Sequence, residues 1–173
     1  AWVPRVTRRE EPRPATAQTY ELTVTMTTDR VRLHATKLST AGSDIVLTNT
    51  FGGTANRLKL HKAQDRVYEI NLGAARLLGD EIRKSGRAVV NAGSVGPLGE
   101  LFRPLGELTH EQGVAAFAEQ MRGLKDGGID VVWIETMFSE DELRAAVEAA
   151  ALQAVPAVVT MSFDTSGRTM MGQ

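Results

Sequence analysis

Four stretches of this sequence place side chains capable of chemistry directly after a short apolar run. Thr48, Asn49, Thr50, Phe51 and Gly52-Gly53 follow the run DIVL, and Gly93, Ser94, Val95, Gly96 and Pro97 follow AVVNA. Glu135 and Thr136 follow VVWI, and Ser162, Phe163 and Asp164 come after the run ending at Met161. Together they offer hydroxyls, an amide, two carboxylates, glycines and the rings of Phe51 and Phe163, the makings of a small polar pocket with aromatic walls. Glu135 is the most telling. Its carboxylate falls at the rim of an apolar strand, where leaving it without a partner is costly. A bound ammonium group would serve as that partner, and so would an Arg or Lys from the next loop.

Each stretch also has a purely structural explanation. Asn49 and Thr50 are residue types that favour helix N-caps. Residues 93–99 look like a phosphate-binding loop, yet they lack both the G-K-[ST] ending and the G-x-G-x-x-G spacing, so a tight turn accounts for them as well. His61 and His110 lie in or beside helical segments without metal-ligand spacing and read as surface residues. The chain has no cysteine, so it offers neither a disulfide nor a thiolate for zinc. Schiff-base chemistry of the aldolase kind needs a Lys at a strand end, and none of these ends carries one.

The elements that position these residues form a repeating unit from Ala41 onward. Strands are expected over 44–47, 88–92, 131–134 and 157–161. The first intervening helix carries Val67, Ile70, Ala74, Leu77, Leu78 and Ile82 at three- and four-residue spacing, and Gly86 supplies its left-handed C-cap. Thr109 with Gln112 makes a capping box for the second, whose buried stripe is Val114, Phe117, Met121 and Leu124 and whose stop is Gly127-Gly128. Ser139 with Glu142 makes another for the third, with Leu143, Ala146, Val147 and Ala150 toward the core. Alternating strands and helices imply parallel strands with crossover helices. An open doubly wound sheet and part of an eight-stranded barrel both satisfy this pattern, and in both the ligand site lies at the C-terminal ends of the strands. A complete barrel needs roughly 250 residues, so 173 residues hold about half of one.

Residues 1–40 have a different character, rich in Thr and Arg and without a sustained apolar period. An edge strand over 20–26 and a short helix over 31–38 are the elements expected there. The net charge of −1 gives no long-range attraction to nucleic acid or to a membrane surface. No apolar run approaches the roughly 20 residues that span a bilayer, and the charged, proline-containing start is not a secretory signal. A cytoplasmic location is the expectation.

The strings DIVLTNTFGGT (44–54), AGSVGPLGE (92–100), DVVWIETM (130–137) and SFDTSGRTMMG (162–172) resemble the homocysteine S-methyltransferase family, and within it the bacterial betaine–homocysteine methyltransferases. The resemblance covers residues 41–173. It implies a partial (β/α)8 TIM barrel, about the first half, and small-molecule partners: homocysteine and a methyl donor, read as betaine, with methionine as product. It implies that Glu135 holds the amino group of homocysteine and that Thr50, Phe51, Ser94, Asn49 and Thr136 line the same pocket. The family's zinc ion, held by three cysteine thiolates, binds the substrate thiol as thiolate, which a free thiol of pKa about 8.5 seldom is at neutral pH.

This chain departs from the family at both ends. The D-G-A-x-G-T string that ends the family's first strand is absent from residues 1–40, and Gln173 is reached before the G-x-N-C and G-G-C-C motifs that carry the zinc cysteines. The expectation is a natural fragment, or a truncated or frameshifted gene product, inactive alone and without a metal site of its own. The alternative is a non-catalytic fragment or interaction module of barrel origin. A sheet that cannot close leaves unpaired edges and an apolar face without its opposite wall. Sedimentation of the isolated chain at micromolar concentration is therefore expected to show a homo-oligomer, and a stable monomer that unfolds cooperatively would contradict the half-barrel account.

Overall fold

The computed structural model describes residues 42–172, together with the backbone of two strands, Thr23–Thr27 (β1) and Arg30–His34 (β2). These two pair antiparallel, Thr23 opposite His34 and Thr27 opposite Arg30. The helix expected over 31–38 is thus corrected for residues 31–34: Arg30, Arg32 and His34 alternate with Val31 and Leu33, and that period of two suits a strand. Residues 35–38 of that helix, residues 20–22 of the expected strand, and most of the atypical segment 1–40 lie outside the described residues.

From Ile45 the chain builds a parallel sheet in sequential order: β3 Ile45–Leu47, β4 Val90–Val95, β5 Val131–Met137 and β6 Ala157–Met161. The crossovers are α1 Ala55–Leu58 with α2 Val67–Ser85, then α3 His110–Asp126, then α4 Glu140–Leu152. Two strands run further than their apolar runs. β4 continues through Gly93, Ser94 and Val95, and β5 through Glu135, Thr136 and Met137. Backbone pairing sets their ends, since Ser94 is in register with Trp133 and Val95 with Ile134.

The helix boundaries are mostly local chemistry. Gly86 (φ 66°) ends α2 in the left-handed conformation. At α3 both arms of the capping box form: Gln112 N–H donates to Thr109 Oγ1 (3.2 Å) and Thr109 N–H donates to Gln112 Oε1 (2.9 Å). At α4 only one arm forms, with Glu142 N–H donating to Ser139 Oγ (3.4 Å). The carboxylate of Glu142 points away from the cap and accepts the backbone N–H of Leu98 (2.7 Å). It is 1% exposed, and burial raises its pKa above the ordinary carboxylate value while the Leu98 hydrogen bond opposes the rise.

The core lies between the sheet and the helices. Val95, Val132, Ile134 and Met137 of the sheet pack with Phe117, Met121 and Leu124 of α3 and with Ala145, Ala146, Ala149 and Ala150 of α4. The expected core face of α4 is therefore rotated: Leu143 is half-buried and Val147 is exposed. A helix made so largely of alanine gives periodicity little to distinguish its sides. On α2 the buried residues are Val67, Asn71, Ala74, Ala75 and Leu78, with Ile70, Leu77 and Ile82 flanking them.

Helices α2 and α3 approach closely where α3 carries glycine. A Cβ on Gly123 would lie 2.7 Å from the Tyr68 carbonyl oxygen and 3.1 Å from Asn71 Cβ. Replacing a helical Gly with Ala ordinarily stabilises by about 1 kcal/mol. Here Gly123→Ala is expected to destabilise by about 1–3 kcal/mol, because overpacking against backbone outweighs propensity; urea denaturation reads the sign. A second expectation concerns Glu142. A carboxylate whose folded pKa is raised makes the folded state less stable as pH climbs from the ordinary carboxylate range through the raised value. Glu142→Gln keeps an oxygen for Leu98 and removes that charge, so its melting temperature should gain on the native chain between acid and neutral pH. A gap that stays constant with pH would show that the buried carboxyl does not titrate against its surroundings.

Candidate functional site

The site forms where the parallel ladder between β3 and β4 gives way to side chains. Its last regular rung is Thr48 N–H donating to the Ala92 carbonyl (2.8 Å). The next N–H, that of Ser94, donates to Thr48 Oγ1 (3.0 Å). Thr50 Oγ1 donates to the Ser94 carbonyl (2.7 Å), and the two threonine hydroxyls lie 2.6 Å apart. With the Thr50 proton directed at Ser94, the Thr48 hydroxyl is the donor of that pair. Thr48, Thr50 and Ser94 are all buried.

Strand alternation decides where Ser94 and Glu135 point. Asn91, Gly93 and Val95 of β4 face the helices: Asn91 Nδ2 donates to the Ala75 carbonyl (3.2 Å), a Cβ on Gly93 would lie 3.0 Å from Leu124 Cδ1, and Val95 belongs to the core. Ser94 therefore turns to the opposite face. On β5, Val132 and Ile134 face the helices, so Glu135 joins Ser94. Ser94 Oγ donates to Glu135 Oε1 at 2.5 Å. A bulge follows at once. The register shifts between Ile134 and Met137, and Thr136 adopts φ 62°, left-handed for a β-branched residue. Such outliers cluster at functional sites. The bulge returns Met137 to the core and leaves Thr136 exposed, its N–H donating to Thr160 Oγ1 (3.3 Å) of β6.

Two helical amides, which the sequence reading passed over, hold the loop after β3. Gln120 Nε2 donates to the carbonyls of Thr50 (2.7 Å) and Ser94 (3.4 Å). Asn71 Nδ2 donates to the carbonyls of Gly53 (2.8 Å) and Val67 (2.7 Å). Both side chains are fully buried. The signal was present: Gln120 lies three residues after Phe117 and four before Leu124 on the buried stripe, and Asn71 lies four after Val67.

Of the expected pocket residues, Thr50, Ser94 and Glu135 are brought together, and Phe51 adjoins them. Gly96 N–H donates to the Phe51 carbonyl (3.0 Å), and the Phe51 ring lies so close over Gly96 that a Cβ there would meet Cε2 at 2.5 Å. Asn49 is exposed. Neither it nor Thr50 caps a helix, since the N-cap of α1 is Thr54. The backbone of 93–99 is not a free anion cradle, because Gly96 N–H serves Phe51 and Leu98 N–H serves Glu142. Asp164 is occupied by its own turn, accepting from Ser166 N–H (2.8 Å), Ser166 Oγ (2.6 Å) and Arg168 N–H (3.0 Å). Those bonds, the Ser166 hydroxyl first, hold its carboxyl below the usual range. Phe163 is 58% exposed. His61 is on the surface, as is His110, whose Nε2 lies 2.8 Å from Glu148 Oε2.

The residues present do not fit a zinc site of three thiolates. The chain has no cysteine, and among the described residues no three of His, Asp and Glu converge to replace them. No described helix is long and apolar enough to cross a membrane.

Comparison with known proteins agrees with the strand-end motifs. The methionine synthase of Mycobacterium leprae (strain TN) is 31% identical over 141 residues, covering 76% of this chain and 12% of that protein. That of Mycobacterium tuberculosis (strain ATCC 25618 / H37Rv) is 30% identical over the same length and shares. The metallated form of the homocysteine methyltransferase MmuM from Escherichia coli superposes with a TM-score of 0.64 at 20% identity, covering 76% of this chain and 51% of that one. Its oxidized form gives 0.65, with 78% and 51% covered. The chain thus spans about half of the MmuM barrel and a small part of the methionine synthases, and the (β/α)8 fold is the one it shares. The model of the family described as homocysteine S-methyltransferase matches residues 9–173, beginning well before the motifs at Ala41. This chain belongs to the homocysteine S-methyltransferase family.

Proposed function

We propose that this chain provides the amino-group-recognising side of a homocysteine S-methyltransferase barrel, in a cytoplasmic enzyme that moves a methyl group to the homocysteine sulfur, with loss of the thiol proton, to give methionine. The observation that carries this reading is the Ser94–Glu135 pair. One carboxylate oxygen takes the Ser94 hydroxyl (2.5 Å), and among the described residues no Lys or Arg pairs with Glu135. A carboxylate accepts about four hydrogen bonds, so capacity remains for an ammonium group. Thr48, Thr50 and Gln120 fix the Ser94 backbone, which fixes its hydroxyl and so the carboxylate. Preorganisation of this kind reduces the ordering cost of binding. The Phe51 ring provides an apolar surface for the methylene groups of the amino acid. Asn49 and Thr136, exposed beside these residues, complete the rim.

The methyl donor is read as betaine from the strand-end motifs. Methyltetrahydrofolate and S-methylmethionine are the alternative donors. Zinc belongs to the complete family member and there supplies the substrate thiolate. The residues of this chain contribute binding and orientation, and no step of the metal's chemistry is assigned to them.

Glu135→Ala removes a charge-assisted hydrogen bond worth about 1.5–3 kcal/mol. Calorimetric titration with L-homocysteine should therefore show affinity weakened roughly ten- to a hundred-fold. The desamino analogue 4-sulfanylbutanoate, which has no ammonium to lose, should bind native and variant chains alike. Equal affinity of the two chains for L-homocysteine would remove Glu135 from the role.

A further inference from the structure

Glu142 is a buried carboxylate for which the proposed chemistry has no use. It stands in the first turn of α4, directly after the strand that carries Glu135, and its oxygen accepts the N–H of Leu98 at 2.7 Å. Leu98 is 1% exposed and belongs to the main core cluster. Pro97, with its backbone angle φ fixed by the ring, joins Leu98 to Gly96. Gly96 in turn carries Phe51 through the 3.0 Å bond to the Phe51 carbonyl and through the ring lying across it. A rigid run of backbone therefore leads from the Glu142 carboxylate to the aromatic ring beside Thr50.

Glu100, two residues beyond Leu98, also holds this segment, through Lys59 and Asn56. Glu100 pairs with Lys59 in the turn that follows α1, and both side chains are substantially exposed. An exposed ion pair contributes little, whereas a buried N–H donating to a carboxylate is among the stronger hydrogen bonds. Of the two, the Glu142 bond sets where residues 96–98 lie.

We infer that Glu142 is a positioning residue for the homocysteine pocket: by holding Leu98 it fixes Gly96, and through Gly96 it fixes Phe51 as the pocket's apolar wall. The inference rests on the homocysteine reading above for what the pocket binds. Glu142 touches no substrate. Glu142→Gln retains an acceptor oxygen and should keep the arrangement, and Glu142→Ala should release it. Gly96→Ala breaks the same relay at its other end, because the added Cβ displaces the Phe51 ring while leaving Leu98 held.

The test measures amide hydrogen exchange residue by residue, together with calorimetric titration by L-homocysteine, on the full chain and these three variants. In Glu142→Ala, exchange at Leu98 and Gly96 should rise about ten-fold or more while Ala92 and Val132 keep their protection, the signature of a local opening. Homocysteine affinity should fall by about ten-fold, the size of effect a displaced contact surface produces. Glu142→Gln should match the native chain in both measurements, and Gly96→Ala should lose affinity with Leu98 still protected. The inference is overturned if Gly96 stays protected when Leu98 opens, if protection falls uniformly through β4 and β5, or if Glu142→Gln behaves like Glu142→Ala. Should Glu142→Ala not fold, the Gln and Gly96 variants decide alone. A native chain that takes up no homocysteine defeats the functional reading, and the exchange pattern at Gly96 then still decides whether Glu142 controls Phe51.

Discussion

Thr50 Oγ1 donating to the Ser94 carbonyl, 2.7 Å away in a buried setting, is the bond on which the arrangement of the site depends. Parallel strands are held by evenly spaced backbone bonds, and as long as those continue the strands stay side by side with no room between them. Beyond Thr48 two threonine hydroxyls enter the pairing between β3 and β4: Thr48 Oγ1 accepts the Ser94 N–H and Thr50 Oγ1 donates to the Ser94 carbonyl, before backbone pairing returns between Gly96 and Phe51. The hydroxyls keep the Ser94 N–H and carbonyl paired where the regular ladder ends, and leaving such groups unpaired in a buried place costs roughly 1–3 kcal/mol each. Held in this way on the β3 side, Ser94 presents its own hydroxyl to Glu135 of the neighbouring strand β5.

The bulge in β5 serves the same end from the neighbouring strand. A regular strand would send residue 136 to the helix side, in line with Val132 and Ile134. The extra residue sends Met137 there, where it is fully buried, and leaves Glu135 and Thr136 out of the core. Thr136 is held at φ 62°, a conformation unfavourable for a β-branched side chain. Pairing of Met137 with Met161 and the bond from Thr136 to Thr160 keep that conformation in place. Core packing thus supplies the stability, and an irregular strand end supplies the half-buried carboxylate of Glu135.

What was legible in the sequence was what depends on near neighbours. Thr109 and Gln112 are three residues apart and satisfy each other, and Gly86 ends its helix alone. Hydroxyls and a carboxylate after apolar runs marked Thr50, Ser94 and Glu135, and strand-end chemistry put them on one side of the sheet. What failed was decided from afar. Glu142 has the same spacing from Ser139 as Gln112 from Thr109, but a backbone N–H 44 positions away in sequence outcompetes the cap for its carboxylate. Asp164 is the exception: it looked like a pocket carboxylate, but near neighbours in its own turn, Ser166 and Arg168, take it. The strands outran their apolar residues because register with a neighbour, which a single strand's sequence does not carry, decides where pairing ends.

Glycine explains why the loops sit low enough for these bonds to form. Gly53 comes so near the two helical amides that a Cβ would lie 2.5 Å from Asn71 Oδ1 and 2.6 Å from Gln120 Nε2. Any larger residue would lift the loop after β3 from α2 and α3, and Gln120 would lose the Thr50 carbonyl. Gly96 does the same for the loop after β4, where only a residue without a side chain lets the Phe51 ring lie on the backbone. The two close approaches act on the same pair of loops from opposite sides, one pressing residues 50–53 onto the helices and the other pressing residue 51 onto residue 96. Thr50 is caught between them with its hydroxyl already committed to Ser94. The position of the Ser94–Glu135 pair is therefore set by backbone contacts that side-chain chemistry alone would not reveal.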